Sequence, residues 1–271
     1  MLAFSVAGLV VGLAVGVTGV GGGSLMTPLL ILLFGFAPSA AVGTDLLYAA
    51  GTKGFGTWLH GRQQTVDWRV VGLMAAGSLP AAIATIVWLH FVGLHPWVEH
   101  LMTITLCVAI IATAVLTLVR KRLMARFGSG IGSDNDSGLP DRLLHWREPI
   151  TVFGGVVLGV LVTLSSVGAG VLGTTMLLLL YPRRAAIRIV GTDIAHAVPL
   201  TLVAGLGHLS LGTTDLPVLG FLLLGSLPGI YLGTRLGSRL PDGLLRPIIS
   251  VLLLLIGSSM LIDSARSLLG S

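Results

Sequence analysis

The sequence predicts an all-α membrane protein made of two inverted-topology repeats, each a short broken-helix hairpin followed by three transmembrane helices. Composition is the first reason: of 271 residues, 54% are hydrophobic and only 10% charged, where a soluble domain carries about 25% charged residues. The second is a series of apolar runs near the roughly 20 residues that cross a hydrocarbon core, enough for about eight to ten membrane helices. The third is that the chain is similar to itself at an offset of 148 residues.

In chain order, residues 1–18 and 25–34 are short apolar stretches on either side of Gly19-Val20-Gly21-Gly22-Gly23-Ser24, and together they read as a hairpin. The start, Met1-Leu2-Ala3-Phe4, lacks the positive region of a signal peptide and is read as mature protein. Runs of full spanning length follow at residues 39–60, 70–91 and 98–119. Within segment 120–148, the Gly/Ser/Asp-rich residues 128–141 have the composition of a flexible linker. The second half repeats the order, with short stretches at 150–164 and 171–181 around Ser165-Ser166-Val167-Gly168-Ala169-Gly170, then spans at 185–209, 216–236 and 244–262. This divides the chain into a first repeat at 1–119, a linker at 120–148 and a second repeat at 149–271.

Charge sets the orientation. Of 16 Lys and Arg, 14 fall at Arg62 and Arg69, between Arg120 and Arg147, between Arg183 and Arg188, and between Arg235 and Arg246. Loops at 35–42, 92–97 and 208–217 contain none. Positive loops stay in the cytoplasm, so the two sets alternate consistently and both termini are expected on the periplasmic side. The same distribution accounts for the net charge of +5 without a nucleic-acid surface, because no basic domain with interleaved aromatics exists. The single Cys107 lies in an apolar run, where packing is the expected role.

The repeat aligns Val42-Gly43-Thr44-Asp45 with Val190-Gly191-Thr192-Asp193, His60 with His208, Thr65 and Asp67 with Thr213 and Asp215, and Gly77-Ser78-Leu79-Pro80 with Gly225-Ser226-Leu227-Pro228. One residue of slippage places Gly21 and Gly23 over Gly168 and Gly170, and Leu25 over Leu172. Halves of opposite orientation with broken helices are the architecture of secondary transporters, whose sites form where the breaks converge near mid-membrane. A break leaves backbone N–H groups without partners, which hydrocarbon does not tolerate unless the backbone lines a cavity or is buried. Helices starting after Gly21, Gly22 and Gly23 and after Gly168 and Gly170 would aim positive dipole ends there, a preference for an anion. Ser24, Ser165 and Ser166 can donate to an oxyanion, although a Ser hydroxyl also bonds its own helix backbone.

These motifs, with Pro28, Ala41-Val42-Gly43-Thr44, His60, Val66-Asp67-Trp68 and their mirrored set, resemble the TauE/SafE sulfite exporter family, also called the toluenesulfonate uptake permease family, over nearly the whole chain. The resemblance implies a carrier in the bacterial inner membrane for sulfite, organosulfonates or related sulfur-containing anions, working in export and coupled to protons. Both copies carry aspartate after Gly-Thr, where members of the family often have a small polar residue.

Asp45, Lys53, Asp193 and His196 are ionisable residues inside spans, where a charge costs about 2.5–3.5 kcal/mol and marks a functional candidate. Lys53 is matched by Thr201 in the repeat, so symmetry does not require it; it is the candidate anion-attracting cation, against pairing with Asp45 or snorkelling. Thr44 and Thr192 are counted with the breaks and Lys53 as candidate substrate-binding residues, and Asp45, Asp193 and His196 are the candidates for proton coupling, with helix capping by Thr44/Asp45 and Thr192/Asp193 as the competing role. His60 and His208, at span ends, are expected at the membrane interface. The expected partners are thus a small anionic substrate, protons and the lipid bilayer, with no cofactor, metal or nucleic acid. A passive anion channel is the alternative, and an intramembrane protease a weaker one, since the two aspartates sit in identical Val-Gly-Thr-Asp strings.

Overall fold

The computed structural model describes residues 1–18, 23–62, 66–127, 146–182, 184–237 and 242–269. Ten helices and no strand occur among them: α1 (Leu2–Thr18), α2 (Gly23–Phe34), α3 (Pro38–Arg62), α4 (Trp68–Val92), α5 (Pro96–Phe127), α6 (Arg147–Ser165), α7 (Val171–Leu180), α8 (Ala186–Ser210), α9 (Leu216–Gly237) and α10 (Asp242–Leu269). Each apolar run of the sequence falls on one helix, to within one residue at its ends. Gly21, Gly22 and the linker residues 128–141 lie outside the described residues.

Local chemistry sets several boundaries. Pro38 and Pro96 open α3 and α5, where a missing N–H costs nothing because the first-turn donors have no intrahelical partner anyway. Helix α6 begins three residues earlier than the apolar run, with Glu148 and Pro149 in its first turn, an acidic side chain at the positive dipole end and a proline where the helix accepts one. That addition makes α6, expected as the short arm of a hairpin, long enough to cross. It joins Trp68–Val92, Pro96–Val119, Ala186–Ser210 and Leu216–Leu236 as the five described helices of spanning length and apolarity. Helix α3 has 25 residues but, with its polar side chains, is not among them; in α10 the described apolar stretch is Ser250–Ile262.

Four pairings dominate the packing: α1 with α9, α4 with α6, α3 with α8, and α5 with α10. Two of them are built on glycine. A methyl group at Gly8, Gly12 or Gly16 would come within 2.3, 2.5 and 2.5 Å of the carbonyl oxygens of Leu222, Ser226 and Ile230, and one at Gly225, Gly229 or Gly233 within 1.9, 2.5 and 2.4 Å of those of Ser5, Leu9 and Leu13. Both helices therefore present a glycine every four residues to the other's backbone, the close approach that drives association where lipid cancels the hydrophobic effect. Helices α4 and α6 meet the same way, with Gly77 against Val152, Gly155 against Met74 and Gly159 against Ser78. Exchanging each helix for its counterpart in the other half leaves this set of pairings unchanged.

Polarity runs opposite to that of a water-soluble protein. Leu224, Leu255 and Phe153 are more than 60% exposed, whereas Asp45, Asp193 and His196 are at most 1% exposed. Apolar side chains thus face lipid, and the ionisable groups are collected inside around α3 and α8.

Candidate functional site

The Val-Gly-Thr-Asp strings lie in the second turn of α3 and α8, so neither Thr44/Asp45 nor Thr192/Asp193 caps its own helix. The threonines instead accept backbone N–H groups from the opposite half: Asp215 N donates to Thr44 Oγ1 at 3.1 Å, and Asp67 N to Thr192 Oγ1 at 2.9 Å. These are orphan donors at the starts of α9 and α4. The capping expectation is corrected accordingly: each threonine satisfies the helix that follows the equivalent string of the other repeat.

The aspartates point to the short hairpin helices. Thr27 of α2 donates to Asp45 Oδ2, and Thr174 of α7 donates to Asp193 Oδ2 at 2.9 Å. Gly173 makes the second contact possible, since a methyl group there would sit 2.0 Å from Asp193 Oδ1. Thr27 and Thr174 were absent from the sequence reading, yet the slipped alignment that matches Leu25 with Leu172 also matches them. Asp45 is fully buried, its Oδ1 has no hydrogen-bond partner among the described residues, and the Ser166 hydroxyl lies beside it.

The second break is described throughout. Ser166 ends α6 with φ 58°, and Gly168 and Gly170 follow at 124° and 146°. These left-handed conformations suit glycine and strain serine. The turn closes by Gly173 N donating to Gly168 O at 3.2 Å and Thr174 N to Gly170 O at 2.9 Å. Ser165 is committed to backbone, donating to Leu161 O at 2.6 Å and accepting Val167 N–H at 3.2 Å. The Ser166 hydroxyl is 2% exposed and has no partner among the described residues. Lys53 reaches this break from α3, its Nζ donating to Ala169 O at 2.7 Å, while the carboxylates of Asp193 and Asp45 lie within electrostatic range. Its hydrogen bond thus goes to the break rather than to Asp45. At the first break, Gly23 opens α2 and Ser24 is buried.

Two histidines complete the interior. His196 Nε2 and Ser78 Oγ of α4 are 2.7 Å apart. His208, expected at the interface, is instead completely buried, with Nε2 donating to Thr163 O of α6 at 2.9 Å and Nδ1 2.9 Å from Thr213 Oγ1. The close approach of α6 to the α4–α8 face covers it, a tertiary contact that proximity to a loop in sequence does not reveal. Among the described residues no group of three His, Cys, Asp or Glu could hold a metal ion. The His60 side chain lies outside the described part of α3.

The arrangement brings an ammonium, two carboxylates, the Ser166 hydroxyl and a strained helix break into one buried region. The chain is similar to known membrane proteins. The family model described as "Sulfite exporter TauE/SafE" matches residues 4–260. A "Probable membrane transporter protein YjnA" of Bacillus subtilis (strain 168) is 39% identical over 251 residues, 92% of this chain and 95% of the relative. A second Bacillus subtilis protein, "Probable membrane transporter protein YdhB", is 27% identical over 254 residues, 90% of this chain and 96% of the relative. No solved structure matches the chain. With the family's model spanning nearly its full length, and a buried polar centre inside an apolar helical bundle, the chain belongs to the TauE/SafE sulfite exporter family of membrane transporters.

Proposed function

We propose that the protein is a proton-coupled exporter of sulfite, organosulfonates or related small sulfur-containing anions across the bacterial inner membrane. The observation that carries this reading is the Lys53 ammonium at the second break, donating to Ala169 O from a helix in the other half. An ammonium has three donors, and this one spends a hydrogen bond on Ala169, two residues before the start of α7 and three after Ser166. In this reading the anion is held by Lys53, by Ser166 with Ser165, Gly168 and Gly170, and by Gly21, Gly22, Gly23 and Ser24 at the first break, with Thr44 and Thr192 fixing the helices around it. Asp45, Asp193 and His196 carry the coupled proton. The two halves lie in opposite orientations with both termini periplasmic, a topology supported by the alternation of basic loops and by pairings that survive exchange of the halves.

The test is sulfite uptake into proteoliposomes under an imposed proton gradient, alongside thermal stability. Lys53→Met keeps the apolar stem and removes the charge, so transport should fall to background in a folded protein; Lys53→Arg should retain part of it. If Lys53 only balanced Asp45, Lys53→Met would lose stability and adding Asp45→Asn would restore it. Wild-type transport by a stable Lys53→Met protein overturns the anion role, and sulfite flux that ignores the proton gradient leaves a passive channel.

A further inference from the structure

Where α4 and α8 begin, a cleft opens that the reading above does not use. Arg184 and Arg188 stand exposed on its rim, and Leu177 and Ile189, at most 3% exposed, form its floor. Across the rim, Arg184 Nη2 lies 3.0 Å from Asp67 Oδ2. Asp67 is the anchored partner, because its backbone N–H is held by Thr192 and its side chain is 17% exposed against 46% for Arg184. The repeat does not demand any of this. The residues matched to Arg184 and Arg188 are Phe36 and Ala40, and Asp215, matched to Asp67, caps α9 by accepting Val218 N–H at 2.9 Å. Among the described residues, the repeat-related position at the other end therefore has no matching basic rim closed by a carboxylate.

The floor leads inward. Thr174 precedes Leu177 by three residues on α7, and Asp193 follows Ile189 by four on α8, so the Thr174–Asp193 hydrogen bond lies one helical turn, about 5.4 Å, beneath the cleft. Beyond it are Gly173 and the break that Lys53 reaches. We propose that this cleft is the mouth through which the anion enters, captured by Arg184 and Arg188, with Asp67 as a built-in counter-anion that the incoming oxyanion displaces from Arg184. A small sulfonate or sulfite-like oxyanion matches the planar guanidinium fork by two parallel hydrogen bonds, as a carboxylate does. Displacement releases the Asp67 side chain from Arg184, while its backbone N–H stays with Thr192 of α8. The ligand class rests on the transport reading above; the charge selectivity of the mouth does not.

The experiment uses purified full-length protein with the buried Cys107 changed to Ser and Ile189→Cys as the reporter. Modification by anionic sulfonatoethyl methanethiosulfonate is compared with that by cationic trimethylammonioethyl methanethiosulfonate. With each rate normalised to that of the same reagent with a free thiol, the anionic reagent should react about tenfold faster, the size of effect that a net basic cleft produces. Adding Arg184→Gln and Arg188→Gln should bring the two rates level, Asp67→Asn should raise the anionic rate severalfold, and methanesulfonate should protect. Equal rates, indifference to the arginine changes, a slower reaction in Asp67→Asn, or no reaction with either reagent overturns the proposal. Where Ile189→Cys lowers thermal stability, Val70→Cys on the facing wall gives the same readout. A wild-type protein that moves no sulfite but keeps charge-selective modification disproves the substrate and leaves the mouth standing.

Discussion

Ser166 combines local strain with a polar contact. Its φ of 58° is a left-handed conformation that strains a side chain by about 1–2 kcal/mol, and its buried hydroxyl lies beside Asp45. Replacement by Gly relieves the strain, whereas replacement by Ala keeps it; both remove the hydroxyl. The Gly variant should therefore unfold at higher temperature than the Ala variant, while sulfite uptake falls severalfold in both as the hydroxyl is lost. Uptake unchanged in both would remove Ser166 from the anion site. Local strain retained at a buried polar residue is the pattern expected where function sets the geometry. Of this neighbourhood, the sequence exposed the residue types and the break but not the partners. Lys53 was identified because a charge inside an apolar run stands out; that it reaches Ala169, 116 residues away, depends on how α3 lies against the second hairpin. Thr27 and Thr174 passed unnoticed because threonine is ordinary in membrane helices, and only their hydrogen bonds to aspartate distinguish them.

At the level of helices, backbone-to-backbone contact makes some glycines irreplaceable and leaves others free. Gly12→Ala drives a methyl group to 2.5 Å from the Ser226 carbonyl oxygen, so α1 and α9 must separate, at a cost of about 1–3 kcal/mol typical of overpacking. Gly72→Ala, in α4 with nothing within 4 Å, should be neutral or stabilising by up to about 1 kcal/mol through helix propensity. Thermal unfolding of the two variants checks this pair, and equal melting temperatures would show that the α1–α9 seam tolerates looser packing. Helix positions were legible because the 20-residue period of apolar runs is imposed by the bilayer. The seams were not, since four-residue glycine spacing marks a face of α1 and a face of α9 without stating that the two meet. The length of α6 is hidden for a related reason: Arg147, Glu148 and Pro149 are polar or helix-breaking by composition, yet Glu148 and Pro149 suit a first turn, and Arg147 is held by Leu180 O and the Tyr181 ring.

For the molecule as a whole, the proposed topology, argued from the loop charges, has residues 120–147 on the cytoplasmic side. A cysteine introduced at Ser133 should resist membrane-impermeant maleimide in intact cells and react once the inner membrane is opened. Labelling in intact cells would invert the assignment and move the Arg184–Arg188 cleft to the periplasmic face. The pairings also constrain motion. Helices α1 and α9 meet through glycine across the two halves, as do α4 and α6, contacts that oppose rocking of the halves as separate bodies.

The glycine seams also impose an order on biosynthesis. Gly8 leaves the ribosome more than two hundred residues before Gly225, the start of the stripe it faces. At about 5–20 residues per second the interval is on the order of 10–40 s. Throughout it, the glycine stripe of α1 is without the α9 backbone that it faces in the finished fold. The α1–α9 seam is therefore closed late, after most of the chain has been made.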